Sequence, residues 1–98
     1  MKLVYPNGER IEIKAGKFRA DKEYPNTIPE KYDMNRSYGE FFIGPTRIFF
    51  VREKGLADES CMILRMNKQV RLSGRLNQLE LNDTIRLEGK VDIILEAV

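Results

Sequence analysis

Residues 79 to 95 read Leu79-Glu80-Leu81-Asn82-Asp83-Thr84-Ile85-Arg86-Leu87-Glu88-Gly89-Lys90-Val91-Asp92-Ile93-Ile94-Leu95. Odd positions are apolar apart from Asp83 and Gly89. Even positions are polar apart from Ile94. A period of two is the signature of extended chain with one face in a core and one in water. The phase also constrains the turns. A two-residue hairpin loop flips apolar parity, whereas a three-residue loop preserves it. Parity survives both 82–84 and 88–90, so any reversal at these places takes an odd number of residues, most simply three. A two-residue Glu88-Gly89 turn would bring Lys90 and Asp92 inward, at a burial cost that rules it out.

Working outward, the N-terminal segment repeats the theme. Lys2 to Tyr5 and Glu9 to Lys14 flank Pro6-Asn7-Gly8, and Asn-Gly between alternating segments signals a hairpin. From Gly16 to Gly39 the alternation dissolves into prolines, Asn26 and scattered charge. This stretch reads as one long irregular loop. Thr27-Ile28-Pro29-Glu30 fits a capping box, with Thr27 as N-cap, and predicts a short helix over Ile28 to Met34. The aromatic residues of this stretch read first as anchors that pin it to a sheet. Glu40 to Ile43 is a short strand stopped by Gly44-Pro45. Arg47 to Glu53 and Glu59 to Met66 are apolar on both parities, as strands covered on both faces are. Asn67-Lys68 turns the chain into a strand over Gln69 to Leu76. A phase change near Asn77-Gln78 requires a bend or bulge. The reading is all-β: one domain of about seven or eight short strands, as a small antiparallel β-sandwich or barrel. Register and shear, which decide between those two, are not visible in one sequence.

Composition narrows the chemistry. The chain has 98 residues, 42% hydrophobic and 33% charged, with a net charge of +2. It is long enough to bury roughly 65% of its unfolded surface in one modest core. No apolar run reaches the ~18 residues of a membrane span. The first residues meet a turn before a signal-peptide core could form, and the expected compartment is cytoplasmic. The single cysteine, Cys61, permits no internal disulfide. With no histidine in the chain, the commonest general base and metal ligand are missing. Cys61 opens an apolar run and reads as a core thiol. The seven glycines are dispersed, with no phosphate-cradling loop, and no serine has a nucleophile context. Glu80, Asp83 and Glu88 read as solvated carboxylates. The expectation is a protein that is not an enzyme, with no cofactor and no metal.

Two surfaces remain as candidates. Long loops on a rigid sheet often bind partners, and Tyr24, Tyr32, Arg36 and Tyr38 are the residue types that dominate interface hot spots. A protein partner or self-association through the 16–45 region, or through strand edges, is the first expectation. The alternative is a nucleic-acid surface built from Arg65, Lys68, Arg71, Arg75, Arg86 and Lys90. In it Arg71 and Arg75 lie about 13 Å apart on one exposed strand face. Cross-strand pairing with Glu80, Glu88 and Asp92 would neutralise that stripe.

Two resemblances are carried by particular residues. Leu81-Asn82-Asp83-Thr84-Ile85-Arg86-Leu87 resembles the closing strands of forkhead-associated domains, over less than a third of the chain. That family reads phosphothreonine with a Ser-x-x-His element and an Asn-Gly loop. Here histidine is absent, and the only Asn-Gly is Asn7-Gly8, in a different region. Val70-Arg71-Leu72-Ser73-Gly74-Arg75-Leu76 resembles the Sm-type RNA-binding barrel, without that family's Asp and Asn placement downstream. The residues support membership of neither.

Overall fold

The structure, a computed structural model, describes residues 1–20 and 26–98. Those residues form eleven strands: β1 (Lys2–Val4), β2 (Arg10–Glu12), β3 (Gly16–Arg19), β4 (Asn26–Thr27), β5 (Ser37–Ile43), β6 (Ile48–Arg52), β7 (Cys61–Arg65), β8 (Lys68–Val70), β9 (Asn77–Gln78), β10 (Thr84–Leu87) and β11 (Val91–Glu96). One sheet runs β2-β1-β11-β10-β7-β8 and the other β4-β3-β5-β6-β9. Among the described residues no strand pairing joins the two sheets, and the architecture is a sandwich. All pairs are antiparallel except the short β3–β4 pair.

The C-terminal phase is borne out. Leu87 pairs with Val91 across the three residues Glu88-Gly89-Lys90, and Lys90 N donates to Leu87 O at 2.9 Å. Glu88 and Gly89 both take the left-handed region (φ 53° and 64°), which this loop needs to close. Ile85, Leu87, Val91, Ile93 and Leu95 are buried. Leu81 departs from the pattern and is exposed. At 79–83 the chain makes no hairpin but crosses from β9 in one sheet to β10 in the other, so face alternation does not carry through.

The first hairpin forms as expected. Tyr5 N donates to Glu9 O and Gly8 N to Tyr5 O, both at 2.9 Å. The 16–39 stretch is not one irregular loop. β3 and β4 lie inside it, and β5 begins at Ser37, three residues before the predicted strand. The lone amide of Asn26 explains how so polar a stretch joins a sheet. Asn26 is buried; its Oδ1 accepts from Lys14 N (2.9 Å), and its Nδ2 lies 2.7 and 3.2 Å from the Lys14 and Gly16 carbonyl oxygens. A side chain thus supplies the bonds a longer strand would make. The predicted helix over 28–34 is a single 3-10 turn, Glu30–Tyr32, with Pro29 as N-cap and no side-chain cap bond; Thr27 belongs to β4, and the capping box is not made.

The doubly apolar runs sit centrally in their sheets, as β6 and β7. On their inner faces Phe50, Cys61 and Ile63 are buried and Ile48 is half-buried; their outer faces, with Phe49, Val51, Met62 and Leu64, are half-buried. The turn after β7 is Met66-Asn67, one residue earlier than predicted, because Arg65 pairs with Lys68. Both turn residues have positive φ (53° and 63°), as a two-residue hairpin turn of the primed type requires. The strand predicted over 69–76 ends at Val70. Residues 71–76 leave the sheet and cross to β9, which absorbs the phase change expected near Asn77-Gln78. Asn77 organises this crossing: its amide donates to Arg75 O at 2.9 Å and its Oδ1 accepts from Ser73 N at 3.0 Å.

Between the sheets, Phe18, Phe41 and Phe50 form a ring cluster, with Phe41 5.2 Å from each of the other two. Tilted packing of this kind suits the aromatic quadrupole. Leu3, Ile63, Ile85 and Ile93 face it from the six-stranded sheet. Burial of each such side chain contributes roughly 1.5–3 kcal/mol.

Candidate binding surfaces at the two ends of the sandwich

Strand registers sort the connections into two ends. At the loop end lie the 5–9 hairpin, residues 28–36, 53–60, 71–76 and the 88–90 turn. At the far end lie residues 13–15, the 44–47 turn, the 66–67 turn, the 79–83 crossing and residues 97–98.

At the loop end the structure places three of the four residues assigned to a partner; Tyr24 lies outside the described residues. Tyr32 is half-buried and stacks on Tyr5, with centroids 5.6 Å apart and planes at 21°. Its hydroxyl accepts from Asn7 N at 3.0 Å, so the Asn7-Gly8 turn is docked on it. Tyr38 is buried and its hydroxyl donates to Glu88 at 2.9 Å. Arg36 is exposed, with its guanidinium 3.5 Å from the same carboxylate. Burial opposes ionisation of Glu88. Hydrogen bonds from Ser60 and Tyr38 and the charge of Arg36 outweigh it and hold the carboxyl below its usual range. Burial first, then Glu88, pushes the Tyr38 phenol up. Glu88 is therefore a structural carboxylate and not the solvated one that its turn position predicted. A shallow cavity of about 400 Å³ opens beside Tyr32, Tyr38, Glu88 and Lys90. The rings Tyr32 and Tyr38 fasten residues 28–38 to the body, leaving Arg36 as the outward member of the group.

The basic residues do not form one stripe. Arg86 makes a bidentate pair with Asp92 (2.7 and 3.1 Å), the cross-strand neutralisation anticipated from register. Arg65 is tied to Asp83 by two bonds of 2.9 Å and lies 3.1 Å from Glu80. Arg71 and Arg75 share no strand face, because β8 stops before them. Lys68, Arg71, Arg75 and Lys90 are exposed, with Lys90 in the β10–β11 turn.

Asp83 corrects a second reading. Its side chain is 0% exposed, and besides Arg65 it accepts from Glu80 N at 2.8 Å. The odd position that broke the apolar pattern of residues 79–95 is a buried anion that holds the sheet crossing closed. Its in-phase position was the signal. Among apolar residues of the same parity, an inward carboxylate with a partner fits better than a solvated one.

Cys61 is buried, as expected, and burial pushes its thiol up to about 12. The folded protein will be inert to thiol reagents at pH 8 and react once unfolded. The linkage has a definite sign. Above its ordinary value of 9.0 the unfolded thiol loses its proton, while the folded one keeps it to about 12. This contribution is intact below pH 9 and is lost as pH rises toward 12, at up to about 1.4 kcal/mol per pH unit. Urea midpoints of wild type and Cys61→Ala should therefore converge on going from neutral pH to about pH 10.5.

The far end differs in kind. Of the seven large apolar side chains left exposed among the described residues, four gather there: Ile43 (48%), Met66 (89%), Leu81 (52%) and Val98 (78%). Phe42 is exposed next to Ile43 on the outer face of β5, opposite Phe49. A groove of about 470 Å³ runs between the 43–48 turn and the 78–81 segment. Its walls are Ile43, Pro45, Ile48, Leu79 and Leu81, and its lining includes no carboxylate side chain and one cationic one, Arg47. Arg47 has no charge partner among the described residues. Sequence reasoning noted Gly44-Pro45 as a loop but missed this surface. The residues that build it come from four separate segments, at 1, 43–48, 78–81 and 97–98, and no local pattern marks them as neighbours.

Among the described residues no group of three His, Cys, Asp or Glu side chains could hold a metal, and no helix is long and apolar enough to cross a membrane. No family model matches the chain, and no curated protein matches it in sequence.

Proposed function

We propose that this chain is a non-catalytic protein-binding module that uses the far end of its sandwich. The observation that carries the reading is the segregation of exposed apolar side chains. The loop end consumes its aromatic rings in packing, and the far end leaves Ile43, Leu81 and Val98 open along a groove, with Met66 exposed in a separate turn of the same end. Contiguous apolar surface on a small protein marks interaction sites. Met66 adds weight, because a bulky side chain at φ 53° is both strained and almost fully solvated. A rigid two-sheet body behind short turns gives a partner a preformed surface.

A photo-reactive residue at Thr46, on the groove wall, tests this in extract of the source cell. The expected result is a discrete covalent adduct that excess wild-type protein competes away and excess Leu81→Asp does not. The same photo-reactive residue at Asn35, on the loop end, should give none. Absence of the Thr46 adduct, or equal adducts from both ends, overturns the reading.

The alternative, a nucleic-acid surface, keeps support in Lys68, Arg71 and Arg75, which are exposed and have no charge partner among the described residues. It has lost Arg65 and Arg86 to carboxylates. Retention of DNA or RNA at low salt that falls steeply with added salt would favour it.

A further inference from the structure

The geometry points to the occupant of the far-end groove: a short acidic and aliphatic segment of another protein, with one carboxylate seated on Arg47. This inference rests on the protein-binding reading and adds the chemistry of the partner.

Two features select that chemistry. The first is size and lining. At about 470 Å³ the groove is on the scale of a small-ligand pocket and takes a few side chains, not a globular surface. Ile43, Ile48, Leu79 and Leu81 offer aliphatic walls, which suit aliphatic side chains. The second is charge. Most other arginines of this chain are already engaged; Arg71 and Arg75, exposed at the loop end, are not. Arg36 lies against Glu88, Arg65 against Asp83 and Glu80, and Arg86 against Asp92; Arg52 donates to the carbonyls of Leu56, Ala57 and Cys61. Arg47 has no such partner among the described residues, and it lines the groove.

Of the carboxylates nearest this end, Glu80 lies 3.1 Å from Arg65 and Asp83 is buried, while Glu96 stands opposite Lys2 in the register of β1 and β11 and does not line the groove. The groove thus has aliphatic walls, the polar side chains of Thr46 and Gln78, and one uncompensated guanidinium, whose planar donors match a carboxylate. The same asymmetry disfavours a second copy of the chain as occupant. A two-fold pair brings like patch against like patch. Each copy would then have to offer the other's Arg47 a carboxylate, and no carboxylate side chain lines the groove.

Short fluorescein-labelled peptides provide the test: one alternating leucine and aspartate, one leucine and lysine, one serine and aspartate. Anisotropy is measured with wild type, Arg47→Glu, Leu81→Asp and, as a loop-end control, Lys90→Glu. Circular dichroism and urea midpoints confirm that each variant is folded. The leucine–aspartate peptide should bind wild type at least about tenfold more tightly than either of the others. Arg47→Glu should transfer the preference to the leucine–lysine peptide, Leu81→Asp should lose both, and Lys90→Glu should match wild type.

Preference of the wild type for the lysine peptide overturns the inference, as does binding of the aspartate peptide that ignores Arg47→Glu. So does self-association in sedimentation that Leu81→Asp abolishes, because the occupant is then a second copy. A Thr46 adduct together with silence of all three peptides rejects this occupant and leaves the protein-binding reading standing. Absence of both removes the reading itself.

Discussion

Gly39→Ala should destabilise the protein by about 3 kcal/mol, enough to lower its urea midpoint sharply. Gly39 lies in β5 with φ 157° and is buried. A Cβ placed there would run into the carbonyl oxygen of Val51 and the tip of the Phe50 ring. The first obstacle is backbone of the neighbouring strand, so no rotamer change removes it. β5 and β6 would have to separate where Gly39 pairs with Arg52, and Phe50 would have to leave the ring cluster it shares with Phe18 and Phe41. Gly74→Ala is the internal control. A Cβ there meets nothing within 4 Å, and the expected change lies within about 0.5 kcal/mol. Equal midpoints for the two variants would mean that β5 and β6 pack less closely than described.

The second large effect belongs to Asp83. Asp83→Ala should cost about 3 kcal/mol, because it removes the buried, bidentate counter-charge of Arg65 and orphans Glu80 N. Arg65→Ala should cost at least as much, because the aspartate it leaves behind is fully buried without its counter-charge, whereas the guanidinium left by Asp83→Ala is 32% exposed and still lies 3.1 Å from Glu80. A double-mutant cycle measured by urea unfolding isolates the pair. A coupling near zero would show that the crossing at 79–83 is held by backbone bonds alone, such as Leu95 N to Asp83 O and Asn82 N to Leu95 O. The Arg86–Asp92 pair makes the useful contrast. It has similar bidentate geometry but lies on the exposed face, and deleting it should matter far less.

Both predictions turn on residues whose type was visible in the sequence and whose role was not. Gly39 reads as one of several dispersed glycines. It becomes indispensable because Val51 and Phe50, twelve and eleven residues away, close over it. Asp83 reads as a turn carboxylate, and its partner Arg65 comes from a different hairpin. The same holds for the surfaces. Tyr32 and Tyr38 carry the composition of a hot spot, yet Tyr5 and Glu88 claim them. Arg47 and Leu81 carry no motif, yet they end on one groove.

The sequence by itself determined the β class, the inward face of residues 85–95, the three-residue turn at 88–90, the first hairpin and the buried state of Cys61. Each follows from nearest-neighbour geometry: side chains alternate along a strand, and a turn of given length either keeps or flips that alternation. Tertiary structure alone decided sandwich over barrel, the sheet crossings at 71–76 and 79–83, and which end of the body stays apolar and open. Those depend on strand register between segments distant in the chain, where cross-sheet packing and burial of charge, not local period, set the energy.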